Sequence, residues 1–125
     1  MMAHIALIDD DLTEAMVLEG MLMHGGAGHT LTHFQSLEAF SARPPGTPFD
    51  LVLLDRRLPP HAGFETSLPA LATTGFDGPV VPISASEMVV EPVDGLNVTN
   101  PVQKSELLTP EAVTALITQV LGTDQ

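Results

Sequence analysis

Three short apolar runs in this chain each close on polar groups suited to phosphate or metal chemistry. Ile5-Ala6-Leu7-Ile8 runs into Asp9, Asp10 and Asp11, Leu51-Val52-Leu53-Leu54 into Asp55, and Val80-Val81-Pro82-Ile83 into Ser84. Carboxylates gathered in one place repel, and each prefers its neutral form unless a cation is present. A hard divalent ion with oxygen ligands resolves that conflict, and Mg²⁺ is the usual choice where phosphate chemistry follows. Each residue also has a plainer reading. An aspartate cluster after a strand can serve a helix N-terminus, Asp55 can pair with Arg56 or Arg57, and Ser84 can close a strand end by hydrogen bonding.

Such groups meet only if the elements carrying them lie side by side. Apolar runs alternate with longer helix-like segments, the pattern of a parallel α/β sheet, where ligands bind beyond the carboxyl ends of the strands. Strands are expected at 4–8, 29–33, 50–54, 79–83 and 95–98, with helices at about 12–24, 36–42, 64–74 and 109–121. The third strand is almost wholly apolar, as befits one covered on both faces. The second alternates polar and apolar residues and suits an edge. Pro82 is awkward within the fourth, because a central strand uses its N–H donors. Thr109 as cap, Pro110 at the first helical position and Gly122 beyond the end mark the last helix. Segment 43–48 reads as a loop. Ten residues separate Ser84 from Gly95, including Pro92, too few for a full helix and its two connections. A helix there is expected to be short or absent.

The length of 125 residues suits one domain, 1–125, with its core at about 4–121 and no output domain. No cysteine is present, so neither disulfides nor thiolate metal sites contribute. The net charge of −12, with Arg43, Arg56, Arg57 and Lys104 as the four basic side chains, disfavours nucleic acid, whose phosphates call for clustered Lys or Arg. No basic segment precedes the first apolar run and no stretch has membrane-spanning length. The expectation is a cytoplasmic monomer or weak dimer without membrane contact. The five histidines lack metal-ligand spacing and read as surface or packing residues.

An acidic pair after an apolar strand, then LVLLDRRLPPHAG, then PVVPISAS, resembles the response-regulator receiver domain of two-component signalling. The likeness covers roughly residues 4–121. It implies a three-layer, flavodoxin-like α/β fold with a five-stranded parallel sheet in the order 2-1-3-4-5 and helices on both faces, here with the fourth helix short or missing. Asp55 matches the aspartate that accepts the phosphoryl group, followed at the family's spacing by Pro59 and Gly63. The resemblance further implies that Asp10 binds Mg²⁺ directly, Asp9 mainly through water, and Asp55 and the backbone carbonyl of Arg57 complete the protein ligands. Ser84 matches the switch hydroxyl that bonds the phosphoryl oxygen. The donor would be a phosphohistidine on a histidine kinase or histidine phosphotransfer protein, and the signal would pass to a protein target by contact. Such a chain takes part in its own phosphorylation without being an enzyme.

Two departures bear on that expectation. The family places a lysine before a proline at the end of strand five, and Asn100-Pro101 stands here. An asparagine amide donates hydrogen bonds but supplies no charge. Lys104 is a candidate substitute, as are Arg56 and Arg57. The family's aromatic switch residue is replaced by Asn97, so the usual output face must be rebuilt. Met16, Met21 and Met23 on the first helix, which also carries an Ala15, Leu18 and Leu22 face, read as core packing, with a partner surface as the alternative. Two other functions stay open. A receiver-like interaction module that is not phosphorylated would account for the departures. A haloacid-dehalogenase-type phosphatase would use Asp9 as nucleophile and Asp11 as general acid, with Thr13 completing the Asp-x-Asp-x-Thr letters.

Overall fold

The computed structural model describes residues 2–26, 28–43 and 48–122; the loop expected at 43–48 lies mostly outside them. In chain order the elements are β1 (His4–Ile8), α1 (Leu12–Gly25), β2 (Thr30–Phe34), α2 (Leu37–Ser41), β3 (Leu51–Asp55), α3 (Phe64–Ala72), β4 (Pro79–Ser84), β5 (Asn97–Val98), β6 (Val102–Gln103), a 3-10 turn (Lys104–Glu106) and α4 (Pro110–Leu121). All strand pairs are parallel, in the order β2-β1-β3-β4-β5, with β6 also beside β4. The fold therefore has the expected α/β class and strand order.

Side chains alternate across the strands and build two cores. Ile5, Leu7, Leu51, Leu53, Val81 and Ile83 pack beneath Ala15, Leu18 and Leu22 of α1 and Val113 and Ile117 of α4. On the opposite face, Ala6, Ile8, Val52, Leu54 and Val80 meet Leu37 and Phe40 of α2 and Phe64, Leu68 and Leu71 of α3. All five residues of β3 are buried, so that strand has no solvent side. Burial of side chains this size contributes roughly 1.5–3 kcal/mol each.

Local chemistry sets the helix ends. Ser36 and Thr109 cap α2 and α4 through their hydroxyls. Helix α3 stops two residues before the expected end, where Thr73 and Thr74 turn their hydroxyls back onto the carbonyls of Ala70 and Leu71, each at 2.7 Å. Strand β2 starts one residue later than expected, because His29 spends its ring nitrogen on the amide of Ala3 at 2.9 Å. Similarly, Asp50 stays out of β3 and accepts the amide of His4 at 2.8 Å.

The sheet differs from the expected five strands because the fifth is broken in two. Val80 lies opposite Val98, but Ile83 lies opposite Val102, so the register slips by one residue across Thr99-Asn100-Pro101. Pro82 accounts for the break. The carbonyl of Val80 accepts from Thr99 and that of Ile83 from Arg56, both at 2.9 Å. Even-numbered residues of β4 therefore aim their backbone groups toward β5 and β6, and odd-numbered ones toward β3. Pro82 has no N–H, and its vacant position faces the gap between the two short strands. A proline is thus accommodated in a central strand at no cost to the β3 ladder.

No helix occupies residues 85–96, as the shortness of that interval implied. The segment crosses in irregular form and lays Met88, Val90, Val93 and Leu96 against the second core. Two of the methionines read as core residues are not. Met16 and Met23 are 63% and 76% exposed, beside exposed Leu12 and Val17, and Met21 is half-buried against the first core. Helix α1 buries one narrow face on the sheet, and its other apolar residues face water.

Candidate functional site

The strand ends bring the polar groups together at one edge of the sheet. Asp9 follows β1 directly, and its amide donates to Phe34 at the end of β2 at 3.0 Å. Its carboxylate accepts the amide of Asp11 at 2.9 Å. Asp11 is the N-cap of α1, accepting the amides of Thr13 and Glu14 at 2.9 and 3.1 Å. The plain reading of the aspartate cluster therefore holds for Asp11, whose carboxylate is committed to the helix rather than free to act as an acid. Asp9 is buried, while Asp10 is exposed.

Asp55 ends β3 and is 3% exposed. Its neighbours Arg56 and Arg57 are exposed and, among the described residues, form no ion pair with it. The cation on Asp55 is Lys104, whose Nζ stands 3.0 Å from Asp55 Oδ1 and 2.7 Å from Glu14 Oε1. Lys104 opens the 3-10 turn directly after β6, which is paired with Ile83 and Ser84. A capping box in which Gln103 and Glu106 bond reciprocally stiffens that turn. Asn100 is exposed within the break, and its backbone carbonyl accepts from the Thr99 hydroxyl. The Asn100–Pro101 bond is trans, whereas Pro59–Pro60 is cis.

Carboxylate oxygens of Asp9, Glu14 and Asp55 all lie within 4.8 Å of one another. Glu14 carries no motif, and its place three residues after Asp11 reads as the second half of a capping box. The structure gives that duty to Asp9, which takes the Asp11 amide and frees the Glu14 carboxylate for Lys104. An acidic side chain one turn into the helix that follows an acidic strand end was the available signal. Ser84 is 1% exposed, and its hydroxyl donates to the Ser86 carbonyl at 2.6 Å while accepting the Ser86 amide at 3.0 Å.

Electrostatics follow from burial. Asp9 is pushed up to about 7, chiefly by loss of water, against the Asp11 amide, which pulls it down, and with Asp55 and Glu14 pushing further. Burial also raises Asp55, and the hydrogen bond and charge of Lys104 offset only part of that effect. For Lys104 burial favours the neutral amine, but the bonds and charges of Glu14 and Asp55 outweigh it and the ammonium is held. Three crowded carboxylates face one ammonium, and the oxygens of Asp9 and Asp55 at adjacent strand ends fit a hard divalent cation.

Beside this centre a cavity of about 230 Å³ opens between α1 and the 104–108 turn, walled by Val17, Leu18, Met21, Leu107 and Leu108. Among the described residues no helix is long and apolar enough to cross a membrane.

No family model matches the sequence, and neither does any curated protein. Solved structures do match in fold. The N-terminal domain of a response regulator/sensory box/GGDEF three-domain protein from Carboxydothermus hydrogenoformans is 24% identical, with 94% of this chain and 93% of that one covered and a TM-score of 0.73. The chemotaxis response regulator CheY4 of Vibrio cholerae is 18% identical over 97% of this chain and 100% of its own, with a TM-score of 0.70. A BeF3-activated DrrB receiver domain is 22% identical over 98% and 100%, with a TM-score of 0.66. Over nearly its whole length the chain has the fold of a receiver domain.

Proposed function

We propose that this chain is a phosphoacceptor receiver domain of a two-component or phosphorelay system, taking a phosphoryl group on Asp55. One observation carries the reading. A buried aspartate at the end of the central strand stands in contact with an ammonium and within reach of two further carboxylates, on a fold shared with response-regulator receivers.

In the proposed step an Asp55 carboxylate oxygen attacks phosphorus, the P–N bond of a phosphohistidine breaks, and the electron pair stays on the imidazole nitrogen. Catalysis of such a transfer is mostly positioning and charge stabilisation. Burial in β3 holds Asp55 in place. Lys104 offers the positive charge that Asn100 lacks. Ser84 would exchange the Ser86 carbonyl for a phosphoryl oxygen. Asp9, Asp10, Asp55 and the Arg57 carbonyl would hold Mg²⁺, which when bound offsets the charge on the transferring group.

The donor would be a histidine kinase or a histidine phosphotransfer protein, meeting the exposed Leu12, Met16 and Val17 of α1 beside the acceptor. With no helix at 85–96 to carry the output, the signal would leave by contact with a protein target. The role is that of a signalling domain rather than an enzyme with turnover.

The test is intact mass after incubation with Mg²⁺ and phosphoramidate, beside Asp55→Asn. The expected result is a gain of one phosphoryl group on the wild type alone. No gain, together with no Mg²⁺ binding, would replace this reading with that of an unphosphorylated interaction module.

A further inference from the structure

We infer that Glu14 is a positioning residue that holds the Lys104 ammonium on Asp55, so that the acceptor depends on a carboxylate delivered by α1. The inference rests on the phosphoacceptor reading for its consequence and on geometry for its substance. Lys104 enters the site four residues after the position where the family places its lysine, as the first residue of the turn that follows β6. Its side chain is 32% exposed, that of Glu14 is 44% exposed and that of Asp55 is 4% exposed. The ammonium thus spans from the watery rim to the buried acceptor.

A long, flexible lysine held by a single acceptor at such a place would lose rotamer freedom for little return. Two acceptors, one on α1 and one at the end of β3, fix it. The Glu14 contact is the shorter, at 2.7 Å against 3.0 Å for Asp55. Glu14 is available because Asp9 Oδ1 takes the Asp11 amide, the donor a capping-box glutamate would accept. An ammonium has three N–H donors. With two directed at Glu14 and Asp55, the third is left for an incoming phosphoryl oxygen while Glu14 keeps the nitrogen in place.

The experiment compares the full chain with Glu14→Ala, Glu14→Gln, Lys104→Ala and the Glu14→Ala/Lys104→Ala double variant. The readouts are ¹⁵N relaxation of the Lys104 ammonium, the initial rate of phosphorylation by phosphoramidate with Mg²⁺, and the Mg²⁺ binding midpoint. We expect Glu14→Ala to free the ammonium and slow phosphorylation roughly tenfold to a hundredfold, the scale of losing orientation at a reacting group. The double variant should be no slower than Lys104→Ala, and Glu14→Gln, which keeps an acceptor oxygen, should restore part of the rate. The Mg²⁺ midpoint should stay within about twofold, as orientation rather than ligation is lost.

An ammonium equally restrained in Glu14→Ala overturns the inference, as do losses that multiply in the double variant. A Mg²⁺ midpoint that shifts in Glu14→Ala but not in Lys104→Ala also overturns it, making Glu14 a metal ligand instead. A wild type that takes no phosphoryl group overturns the function proposed for Asp55, while the relaxation measurement still decides whether Glu14 holds Lys104.

Discussion

Lys104 Nζ lies 3.0 Å from Asp55 Oδ1, although 49 positions in the chain separate the two residues and the family's lysine position is held by Asn100. The contact follows from the break in the fifth strand. Because Pro82 leaves no donor on the β5 side of β4, the chain bulges at 99–101 and re-enters the sheet one residue out of register. The 3-10 turn then begins beside Ser84, with its first side chain over the site. Lys104→Ala should therefore slow phosphorylation of Asp55 by about 10²-fold, the scale of removing one oriented donor from a transferring group. Asn100→Ala should change the rate less than about twofold, since its side chain makes no bond in the site. Initial rates by intact mass check both, and the reverse ranking would return the role to Asn100.

Much of the site was legible from residue order because strand ends are short-range features. An apolar run of five residues that stops at an acid places that acid at the sheet edge, and this located Asp9, Asp55 and Ser84. The reach of Lys104 was not legible, because it depends on a bulge created by a proline on the neighbouring strand. Glu14 was hidden by its spacing from Asp11, which marks a cap. The Ala15, Leu18 and Leu22 face of α1 could be read from its period. The fates of Met16 and Met23 could not, since an α1 that is apolar on several sides does not say which side meets the sheet.

Exposure of that second face yields a prediction about partners. Met16→Asp should leave stability within about 0.5 kcal/mol, as for most surface changes. It should also leave phosphorylation by phosphoramidate unchanged. Transfer from a phosphorylated histidine phosphotransfer protein should fall roughly tenfold, the scale of one lost apolar anchor at an interface. Equal slowing with both donors would mean that the substitution disturbs the acceptor itself, and no slowing with either would place the donor elsewhere.

The approach of α1 to α4 leaves little room. A Cβ on Gly25 would sit 2.6 Å from Thr114 Oγ1, an atom that is itself buried without a hydrogen-bond partner. Gly25→Ala should cost about 1–3 kcal/mol through overpacking. Adding Thr114→Ala should recover most of that loss, since it removes both the clash and the unsatisfied oxygen. Urea denaturation of the four proteins decides the point, and additive losses would show that the two positions do not meet.

Asp9 supplies the pH prediction. Its ordinary value is 3.8 and its folded value is about 7, so between these limits the folded state keeps a proton that the unfolded chain has released. Stability from this group is present at low pH, declines as pH rises through that window, and is gone above it. The full effect is on the order of 4 kcal/mol at most. Asp9→Asn keeps an oxygen for the Asp11 amide and has no charge to bury. Without metal it should be little different from wild type near pH 4 and more stable at pH 8, on either side of the titration window. A cation that binds the ionised carboxylate must displace the proton, so the affinity of wild type for Mg²⁺ should weaken as pH falls below about 7, with Asp9 alone contributing up to about tenfold per unit. Mg²⁺ at pH 8 should raise the Tm of wild type and lose most of that effect in Asp9→Asn, because binding to the folded state alone stabilises it by mass action. Thermal melts across this range, with and without Mg²⁺, test both halves. A difference between Asp9→Asn and wild type that stays constant with pH would mean that folding does not shift the titration of Asp9 within this window.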